Sequence, residues 1–336
     1  MKKHGSDLKE NVLRLLEEHR GTPVSGEFLA EELGVTRTAV WKAMNDLKER
    51  GYLISGRKRQ GYVLEERSDV ISVSALKELM GLTGEEPPVL YFDTIDSTNR
   101  LAKELAGAGT PHGTLVVADS QSAGRGRRGH TFYSPAGTGV YFTIVFHADT
   151  TFQNGIYYTT KAAVAVCHAV ESIFPKYRAG IKWVNDIYVD GRKICGILSE
   201  AVTDMETGRI ESVVCGIGIN VNTSDFPEDA PVAGSLIRAG NDEPVPYGIR
   251  NRLVAEVWKE MVPWALHPNE HSFMEEYRER SVLIGRNVLY TFGEEQMEAK
   301  ALDITEEGAM VLEKPDGSVI RVTSGDCRVR LGDPEL

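Results

Sequence analysis

Apolar positions in the first fifty residues recur with the period of an α-helix. A first helical stripe is formed by Leu8, Val12, Leu15 and Leu16. A second helix is predicted from the spacing of Phe28, Leu29 and Leu33. Thr36 is a suitable N-cap for a third helix, which is predicted to end near Gly51. Two short strands are then predicted, near 52–54 and 61–64, around a basic turn.

Two helices joined by a tight turn and followed by a hairpin predict a winged helix-turn-helix domain over residues 1–66. Residues 35–59 carry seven basic and two acidic side chains, although the whole chain has a net charge of −11. A local basic patch in an acidic protein favours a DNA contact by the third helix and the wing. A three-helix interaction domain with an ordinary solvated face is the alternative. The candidate DNA-binding residues are Thr36, Arg37, Thr38, Trp41, Lys42, Arg57, Lys58 and Arg59.

After a charged connector at residues 65–69, strand-like and helix-like segments alternate. Apolar runs predict seven strands, at 89–92, 114–118, 140–146, 181–183, 187–189, 194–200 and 213–221. Helical periodicity predicts three helices, at 99–106, 157–173 and 247–265. The sequence therefore predicts a mixed α/β domain over residues 70–275.

The last fifty residues predict short strands separated by turn residues such as Gly308 and Gly317. The predicted strands lie at 287–291, 297–304, 310–312 and 319–323. Strands of this length predict a small SH3-like β-barrel over residues 282–332. The chain as a whole is thus predicted to be an α+β multidomain protein.

Composition is that of a soluble protein, with 41% hydrophobic and 26% charged residues in a chain of 336. No apolar run approaches the roughly 18 residues of a membrane span, and the polar start lacks the apolar core of a secretory signal. Four widely separated cysteines without a C-x-x-C pair predict free thiols and no metal site of the protein's own. Together these features predict a cytoplasmic location.

Segment 120–129 concentrates three glycines and three arginines. Glycine lets the backbone approach a ligand closely, and arginine binds carboxylate and phosphate oxygens in pairs. The segment also matches the dinucleotide-binding pattern G-x-G-x-x-G, but Pro135 and Gly137 block the helix that this pattern requires next. It therefore predicts a loop that closes over a polyanionic ligand, with a solvated surface loop as the alternative.

Three further clusters place polar side chains at predicted element ends. Residues 96–99 (D-S-T-N) put small hydrogen-bonding groups at a helix start, where a plain helix cap is the simpler interpretation. Residues 182–186 (K-W-V-N-D) end an apolar strand with an amide and a carboxylate, for which a simple turn is the alternative. Residues 191–196 place Lys193 before a strand, and residues 216–220 form a glycine-rich strand. A cation near exposed backbone again suits an anionic ligand.

These clusters predict a site with several cations, neutral hydrogen-bonding groups and one carboxylate. The chain has no G-x-S-x-G, H-E-x-x-H or Walker A motif. Cations that converge on an anion without a protein nucleophile favour adenylation. In that reaction a substrate carboxylate attacks the α-phosphate of ATP, and the protein positions the groups and stabilises charge.

The motifs D-S-T-N, Q-x-A-G-R-G-R-R-G, K-W-x-N-D, G-R-K-x-x-G-I-L-x-E and G-x-G-I-N follow one another in this order. In this order they resemble those of the biotin–protein ligases. With the helix-turn-helix in front, nearly the whole chain resembles the bifunctional bacterial ligases that also repress the biotin operon.

The resemblance implies an activity in two steps. Biotin and ATP, with Mg²⁺, give biotinyl-5′-adenylate and pyrophosphate. A lysine of the biotin carboxyl carrier protein of acetyl-CoA carboxylase then attacks the adenylate. The resemblance also implies a homodimer that binds operator DNA when the adenylate is bound.

The family's roles transfer to matching positions of this chain. Catalytic roles are implied for Arg125, Lys182, Asp186 and Lys193. Biotin binding is implied for Ser97, Thr98, Asn99, Gln121, Arg125, Gly126, Arg127, Lys193, Gly196 and Gly216. Adenylate binding is implied for Arg127, Arg128, Phe132, Asn185 and Asn220. In this assignment Lys193 contacts the carboxylate and α-phosphate oxygens, and Asp186 orients and helps to deprotonate the acceptor lysine.

Three positions depart from the family pattern. The family usually has tryptophan at Phe132, near the adenine, and a basic residue at His130. Phenylalanine also stacks but buries less area, so the adenylate is expected to bind more weakly. The family's usual proline is replaced by Val184, which we expect to be benign.

Two other functions are alternatives. A ligand-sensing transcription factor without chemistry is disfavoured because Arg125, Lys193 and Asp186 are retained. A lipoate–protein ligase would share the catalytic fold, but the arginine-rich loop and the DNA-binding module fit the biotin branch better.

Overall fold

The structure is a computed structural model that describes residues 3–57, 60–66, 68–150, 155–203, 209–238, 248–292 and 294–329. The chain forms two compact units. The first comprises Met1–Thr83 with Asp242–Arg252, and the second comprises Gly84–Asn241 with Leu253–Leu336. Within the described ranges, every helix is too short or too polar to cross a membrane.

The first unit contains the predicted winged helix-turn-helix. Its elements are α1 (Lys3–Glu18), α2 (Gly26–Glu32), α3 (Arg37–Glu49), the antiparallel strands β1 (Ile54–Arg57) and β2 (Gly61–Leu64), and α4 (Val73–Met80). Ser25 and Thr36 cap α2 and α3 with hydroxyls that accept from the backbone N–H groups of Phe28 and Ala39. Fully buried apolar side chains from the three amino-terminal helices form its core: Val12, Leu16, Leu29, Val40 and Met44. The predicted stripes therefore face one another, as the helical period requires.

A seven-stranded mixed sheet forms the centre of the second unit. Its strands are β3 (Val89–Ile95), β4 (Leu115–Gln121), β5 (Gly139–Thr150), β6 (Gly180–Lys182), β7 (Asp186–Val189), β8 (Arg192–Thr203) and β9 (Ile210–Asn220). The strand order is β3-β4-β5-β9-β8-β7-β6, and the β3–β4 pair is parallel while the other pairs are antiparallel. Each predicted strand has its counterpart here.

The remaining helices are α5 (Thr98–Gly107), α6 (Gly155–Ile173), α7 (Ile249–Trp264) and α8 (Phe273–Glu279). Helix α5 packs on the sheet through a cluster that includes Ala102, Val116 and Val214. This packing fixes the start of α5 next to the sheet. Helices α4 and α8, of eight and seven residues, were not predicted from the sequence.

The carboxy-terminal part of the second unit is a small antiparallel sheet of order β13-β12-β11-β10-β14. Its strands are β10 (Asn287–Phe292), β11 (Glu295–Ile304), β12 (Met310–Glu313), β13 (Val319–Val322) and β14 (Asp326–Val329). The small all-β domain confirms the predicted class. Strand β14 was missed because only Cys327 and Val329 supply an apolar alternation.

Candidate active site

The arginine-rich segment forms a closed loop between β4 and β5. Residues 122–131, with Leu198 and Glu200, line a cavity of about 660 Å³. Gly126 N donates to the His130 carbonyl at 2.7 Å, and Phe132 N donates to the Gly124 carbonyl at 3.0 Å. A side chain at Gly124 would put its Cβ 2.4 Å from the Phe132 carbonyl oxygen, so this turn requires glycine. A single 3₁₀ turn over Arg127–Gly129 stands where a dinucleotide-binding fold needs an α-helix.

The three loop arginines differ in their surroundings. Arg127 is partly buried, and its Nη1 donates to Asn185 Oδ1 at 3.0 Å. Burial, followed by the neighbouring charge of Arg128, lowers the pKa of Arg127, but a guanidinium remains protonated at neutral pH. Arg125 and Arg128 are exposed. The loop therefore offers one anchored cation and two cations open to a ligand.

Asn185 in turn is anchored to the sheet, because its Nδ2 donates to the Ile197 carbonyl at 2.9 Å. In the same segment, Trp183 donates from Nε1 to the Gly308 carbonyl, in the turn between β11 and β12, at 2.9 Å. Tyr277 Oη donates to the Val184 carbonyl at 2.8 Å. The 182–186 segment is therefore a fixed hairpin turn that presents polar side chains.

The start of α5 is buried and lies beside the arginine-rich loop. Ser97, Thr98 and Asn99 are each exposed by 5% or less. The Ser97 side chain makes no capping hydrogen bond, so the plain helix-cap interpretation does not describe it. Gln121 Oε1 accepts from Thr98 N at 2.9 Å, and Gln121 Nε2 donates to Ser134 Oγ at 3.1 Å. The structure thus brings together the D-S-T-N motif and the glutamine of the loop motif.

The two lysines predicted in the site each face a carboxylate. Lys193 Nζ lies 2.7 Å from Asp186 Oδ1. Lys182 Nζ lies 3.4 Å from Asp326 Oδ1, on β14. Lys182 and Asp186 are opposite each other in the β6–β7 pair. The lysines are therefore held close to neutralising partners on either side of one hairpin.

Glycines form a flat part of the sheet beneath the predicted ligand site. A Cβ on Gly216 would lie 1.9 Å from Asn99 Oδ1, and a Cβ on Gly218 would lie 2.4 Å from the Phe132 ring. A Cβ on Gly196 would lie 3.0 Å from the same ring. Phe132 thus lies directly over the glycines of β8 and β9, where a larger residue on the sheet would displace it.

Asn220 stands at the end of β9 and is 5% exposed. Its Nδ2 donates to the Gly234 carbonyl at 3.0 Å, while its buried Oδ1 has no hydrogen-bond partner among the described residues. The amide oxygen is therefore available as an acceptor for a ligand donor.

Four site neighbours were not assigned a role from the sequence: Ser134, Thr143, Glu200 and Asp326. Glu200 Oε1 accepts from Lys103 Nζ at 2.8 Å, and its Oε2 accepts from Asn99 Nδ2 at 2.9 Å. Burial alone would raise the pKa of Glu200, but these hydrogen bonds and the charge of Arg125 lower it. Glu200 is the last residue of the G-R-K-x-x-G-I-L-x-E motif, and this motif was the sequence signal that could have identified it. No pattern in the sequence links Asp326 to a lysine 144 positions earlier.

The candidate DNA-binding residues of α3 lie on one exposed face. Arg37, Thr38 and Lys42 are exposed, and Trp41 is 55% exposed. Thr36 is exposed but also caps the helix. On the wing, Arg57 is exposed, whereas Lys58 and Arg59 lie outside the described residues.

Comparison with known proteins matches each part of the chain to a family. Residues 9–63 match a helix-turn-helix domain, residues 91–220 the biotin/lipoate A/B protein ligase family, and residues 283–330 the biotin protein ligase carboxy-terminal domain. The biotin protein ligase of Aquifex aeolicus, in complex with biotin and ATP, superposes with a TM-score of 0.59 at 25% identity. That match covers 72% of this chain and 98% of the other.

Two curated relatives match almost end to end. The bifunctional ligase/repressor of Bacillus spizizenii is 33% identical over 96% of this chain and 98% of its own length. The bifunctional ligase/repressor of Escherichia coli is 28% identical over 91% of this chain and 92% of its own. The chain therefore belongs to the biotin protein ligases, in the group of bifunctional ligase/repressor proteins that join a helix-turn-helix domain to the ligase.

Proposed function

We propose that this protein forms biotinyl-5′-adenylate from biotin and MgATP, transfers biotin to a lysine of the biotin carboxyl carrier protein, and represses biotin genes. The observation that carries the proposal is the cavity of the 122–131 loop. Its exposed arginines lie beside neutral hydrogen-bonding groups at the start of α5 and a lysine–carboxylate pair on β7 and β8. Neutral groups suit the ring of biotin, and the cations suit its carboxylate and the phosphates.

The first step needs little from the protein except position and charge. Ser97, Thr98, Asn99 and Gln121 hold the biotin ring, with Gly196 and Gly216 beneath it. Arg125, Arg127 and Lys193 bind the carboxylate and the α-phosphate, whose negative charge grows as the carboxylate attacks. The adenosine side is held by Asn185, Asn220, Phe132 and Arg128, and Lys182 supports the site. Mg²⁺ enters with ATP as part of that substrate.

The second step uses the Asp186 carboxylate, which pairs with Lys193 until the adenylate is bound. When Lys193 moves toward the bound adenylate, Asp186 loses its partner and becomes an acceptor for the ammonium of an incoming lysine. An acceptor lysine must lose a proton before it attacks the mixed anhydride, and a carboxylate within hydrogen-bond reach assists this. Cleavage of the anhydride then releases AMP.

Repression requires in addition that the helix-turn-helix domain binds operator DNA. The exposed α3 face suits a major groove, and two such domains read a palindromic operator only as a dimer. We propose that the homodimer forms when the adenylate is bound, which links operator occupancy to biotin supply.

The test is mass spectrometry of a biotin carboxyl carrier domain after incubation with this protein, biotin and ATP. We expect a mass increase of one biotin on one lysine, and none without ATP. An unmodified carrier together with pyrophosphate release would contradict the transfer step. No pyrophosphate release would favour a pure ligand sensor. Competition by free lipoate stronger than by biotin would favour a lipoate ligase.

A further inference from the structure

The turn between β6 and β7 contains a peptide that is tied to two other parts of the site. The turn covers residues 183–185, and Val184 in its middle is 5% exposed. The Val184 carbonyl accepts from Tyr277 Oη at 2.8 Å. Asn185 follows, and its Oδ1 accepts from Arg127 Nη1 at 3.0 Å. The peptide that joins Val184 to Asn185 is therefore linked to a buried tyrosine and, through the Asn185 side chain, to a loop arginine.

Tyr277 approaches this turn from a fixed position. It is fully buried on α8, and burial raises the pKa of its hydroxyl, which therefore stays protonated and donates. The neighbouring residue Glu276 lies 2.7 Å from His168 Nε2 on α6 and accepts from Arg280 Nε at 2.8 Å. Arg280 in turn donates to Glu171 Oε1, also on α6, at 2.8 Å. Because these contacts hold α8 against α6, the hydroxyl of Tyr277 is a fixed donor for the turn.

The Val184 carbonyl depends on Tyr277 for its hydrogen bond. Among the residues that the structure describes, Tyr277 is its only donor. A buried carbonyl that loses its donor is unfavourable, so without the hydroxyl the 184–185 peptide is expected to rotate toward another donor. The nitrogen of this peptide belongs to Asn185, and the same rotation therefore displaces the Asn185 side chain from Arg127.

We propose that Tyr277 is a positioning residue that holds the 184–185 peptide and thereby keeps Asn185 aligned with Arg127 for the nucleotide. The inference rests on the proposed function, in which Asn185 holds the adenosine side and Arg127 binds the α-phosphate. In this assignment Tyr277 itself touches neither substrate. Its effect reaches the nucleotide through Asn185, and the biotin ring site at the start of α5 lies outside this path. Tyr277 therefore affects the binding of ATP more than the binding of biotin.

Tyr277→Phe removes the hydroxyl and keeps the ring in the core. We expect the KM for ATP in adenylate formation to rise by about tenfold, which corresponds to the loss of one hydrogen bond. The Kd for biotin without ATP should change by less than about threefold, because the residues that hold the ring stay in place. A variant that only folded less well would show a lower Vmax at an unchanged KM, so the KM separates positioning from a loss of folded protein.

Asn185→Ala shows whether Tyr277 acts through Asn185. Effects that pass through one shared residue are not additive. The KM for ATP of the double variant, Tyr277→Phe with Asn185→Ala, should therefore stay within about twofold of that of Asn185→Ala alone. Tyr158→Phe is the matched control, because Tyr158 is also buried and its hydroxyl has no hydrogen-bond partner among the described residues. It should leave the KM for ATP and the Kd for biotin unchanged, and thermal unfolding should verify that all variants fold.

Hydrogen exchange gives a readout that does not depend on activity. Ile197 N donates to the Asn185 carbonyl at 3.0 Å, so this amide reports on the turn. In Tyr277→Phe it should exchange about tenfold faster, while the amides of β9 keep their protection. An unchanged KM for ATP in Tyr277→Phe, a multiplied KM in the double variant, or unchanged exchange of Ile197 would each overturn the inference. Absence of adenylate in the original protein would instead contradict the proposed function, and the exchange of Ile197 would then still decide whether Tyr277 holds the turn.

Discussion

Lys193 and Asp186 neutralise each other across β7 and β8, with Nζ 2.7 Å from Oδ1. The two groups have opposite tasks in the proposed reaction, since one stabilises an anion and the other receives an ammonium. Their contact keeps both in place before a substrate arrives. In the proposed reaction, a bound phosphate would compete for Lys193 and thereby free Asp186 for the second step.

Lys193→Ala is therefore expected to impair adenylation more than biotin binding. The ammonium is needed most when negative charge grows on the α-phosphate, and loss of one such preorganised partner typically costs about 10²–10³ in rate. The rate of pyrophosphate release and the biotin Kd measure the two effects. Lys259→Ala, which breaks only an exposed pair with Glu256, is the matched control. Adenylate formation at the original rate would exclude the role.

Gly216→Ala is expected to disturb the proposed site of the biotin ring, because the new side chain displaces Asn99. The added Cβ would lie 1.9 Å from Asn99 Oδ1, and overpacking of this kind typically costs about 1–3 kcal/mol in stability. Because Asn99 must move, biotin should also bind more weakly. Urea denaturation and biotin titration measure both. At Gly107, the last residue of α5, a Cβ meets nothing within 4 Å, so Gly107→Ala should leave biotin affinity unchanged and should not lower stability. Unaltered biotin affinity in Gly216→Ala would show that Asn99 does not shape the site.

The sequence predicted the elements of the sheet and the motifs, but not the pairs that those motifs make. Long apolar runs marked β5 and β9, because strands that are buried on both faces need continuous apolar side chains. The partnership of Asp186 with Lys193 depends on the β7–β8 register, in which Asp186 pairs with Gly196 and the register shifts between Ile187 and Tyr188. Such an irregularity leaves no trace in hydrophobic periodicity.

Contacts between residues far apart in the chain could not be predicted from the sequence either, for a related reason. Asp326 reaches Lys182 only because a separate small sheet lies against the hairpin, and its own strand has four residues. Charge and spacing identify which residues can do chemistry, whereas tertiary packing decides which of them meet.

Replacement of a basic residue in the proposed DNA interface should change the salt dependence of operator binding. Arg37, Lys42 and Arg57 are exposed on α3 and the wing. Replacement of one phosphate-contacting residue by alanine should reduce the slope of log affinity against log salt by about 1. Operator titration at several salt concentrations measures it, with Arg14→Ala as control because Arg14 lies on α1 and pairs with Glu18. Unchanged affinity in all three variants would contradict the winged-helix interface.

His168 predicts a pH-dependent stability. Its Nδ1 lies 3.0 Å from Glu260 Oε2 and its Nε2 lies 2.7 Å from Glu276 Oε1. Both contacts require the imidazolium, and these hydrogen bonds, chiefly that to Glu260, raise the pKa of His168. A raised folded pKa gives stability that is complete below the unfolded value of about 6.5 and is lost as pH rises through the folded value.

The free energy of unfolding of the original protein, minus that of His168→Asn, should therefore shrink as pH rises above about 6.5. Urea denaturation between pH 6 and 9 measures the difference. His267→Asn is the control, since His267 has no carboxylate partner among the described residues. A difference that stays flat or grows with pH would show that His168 is neutral in the folded protein.

The arginine loop should couple ligand binding to DNA binding. Arg125 is exposed on the cavity and lies outside the helix-turn-helix, so its replacement can change operator affinity only indirectly. Ordering about ten loop residues costs roughly 1–2 kcal/mol each, which is offset only when the arginines meet an anion. We expect the 121–131 loop to exchange amide hydrogens quickly without ligand and slowly with biotin or its adenylate. Arg125→Gly should therefore release adenylate faster and weaken operator binding together. Hydrogen exchange and operator titration with and without adenylate measure both effects. A loop protected equally in the two states, or operator affinity that ignores the adenylate, would show that the loop does not link the two activities.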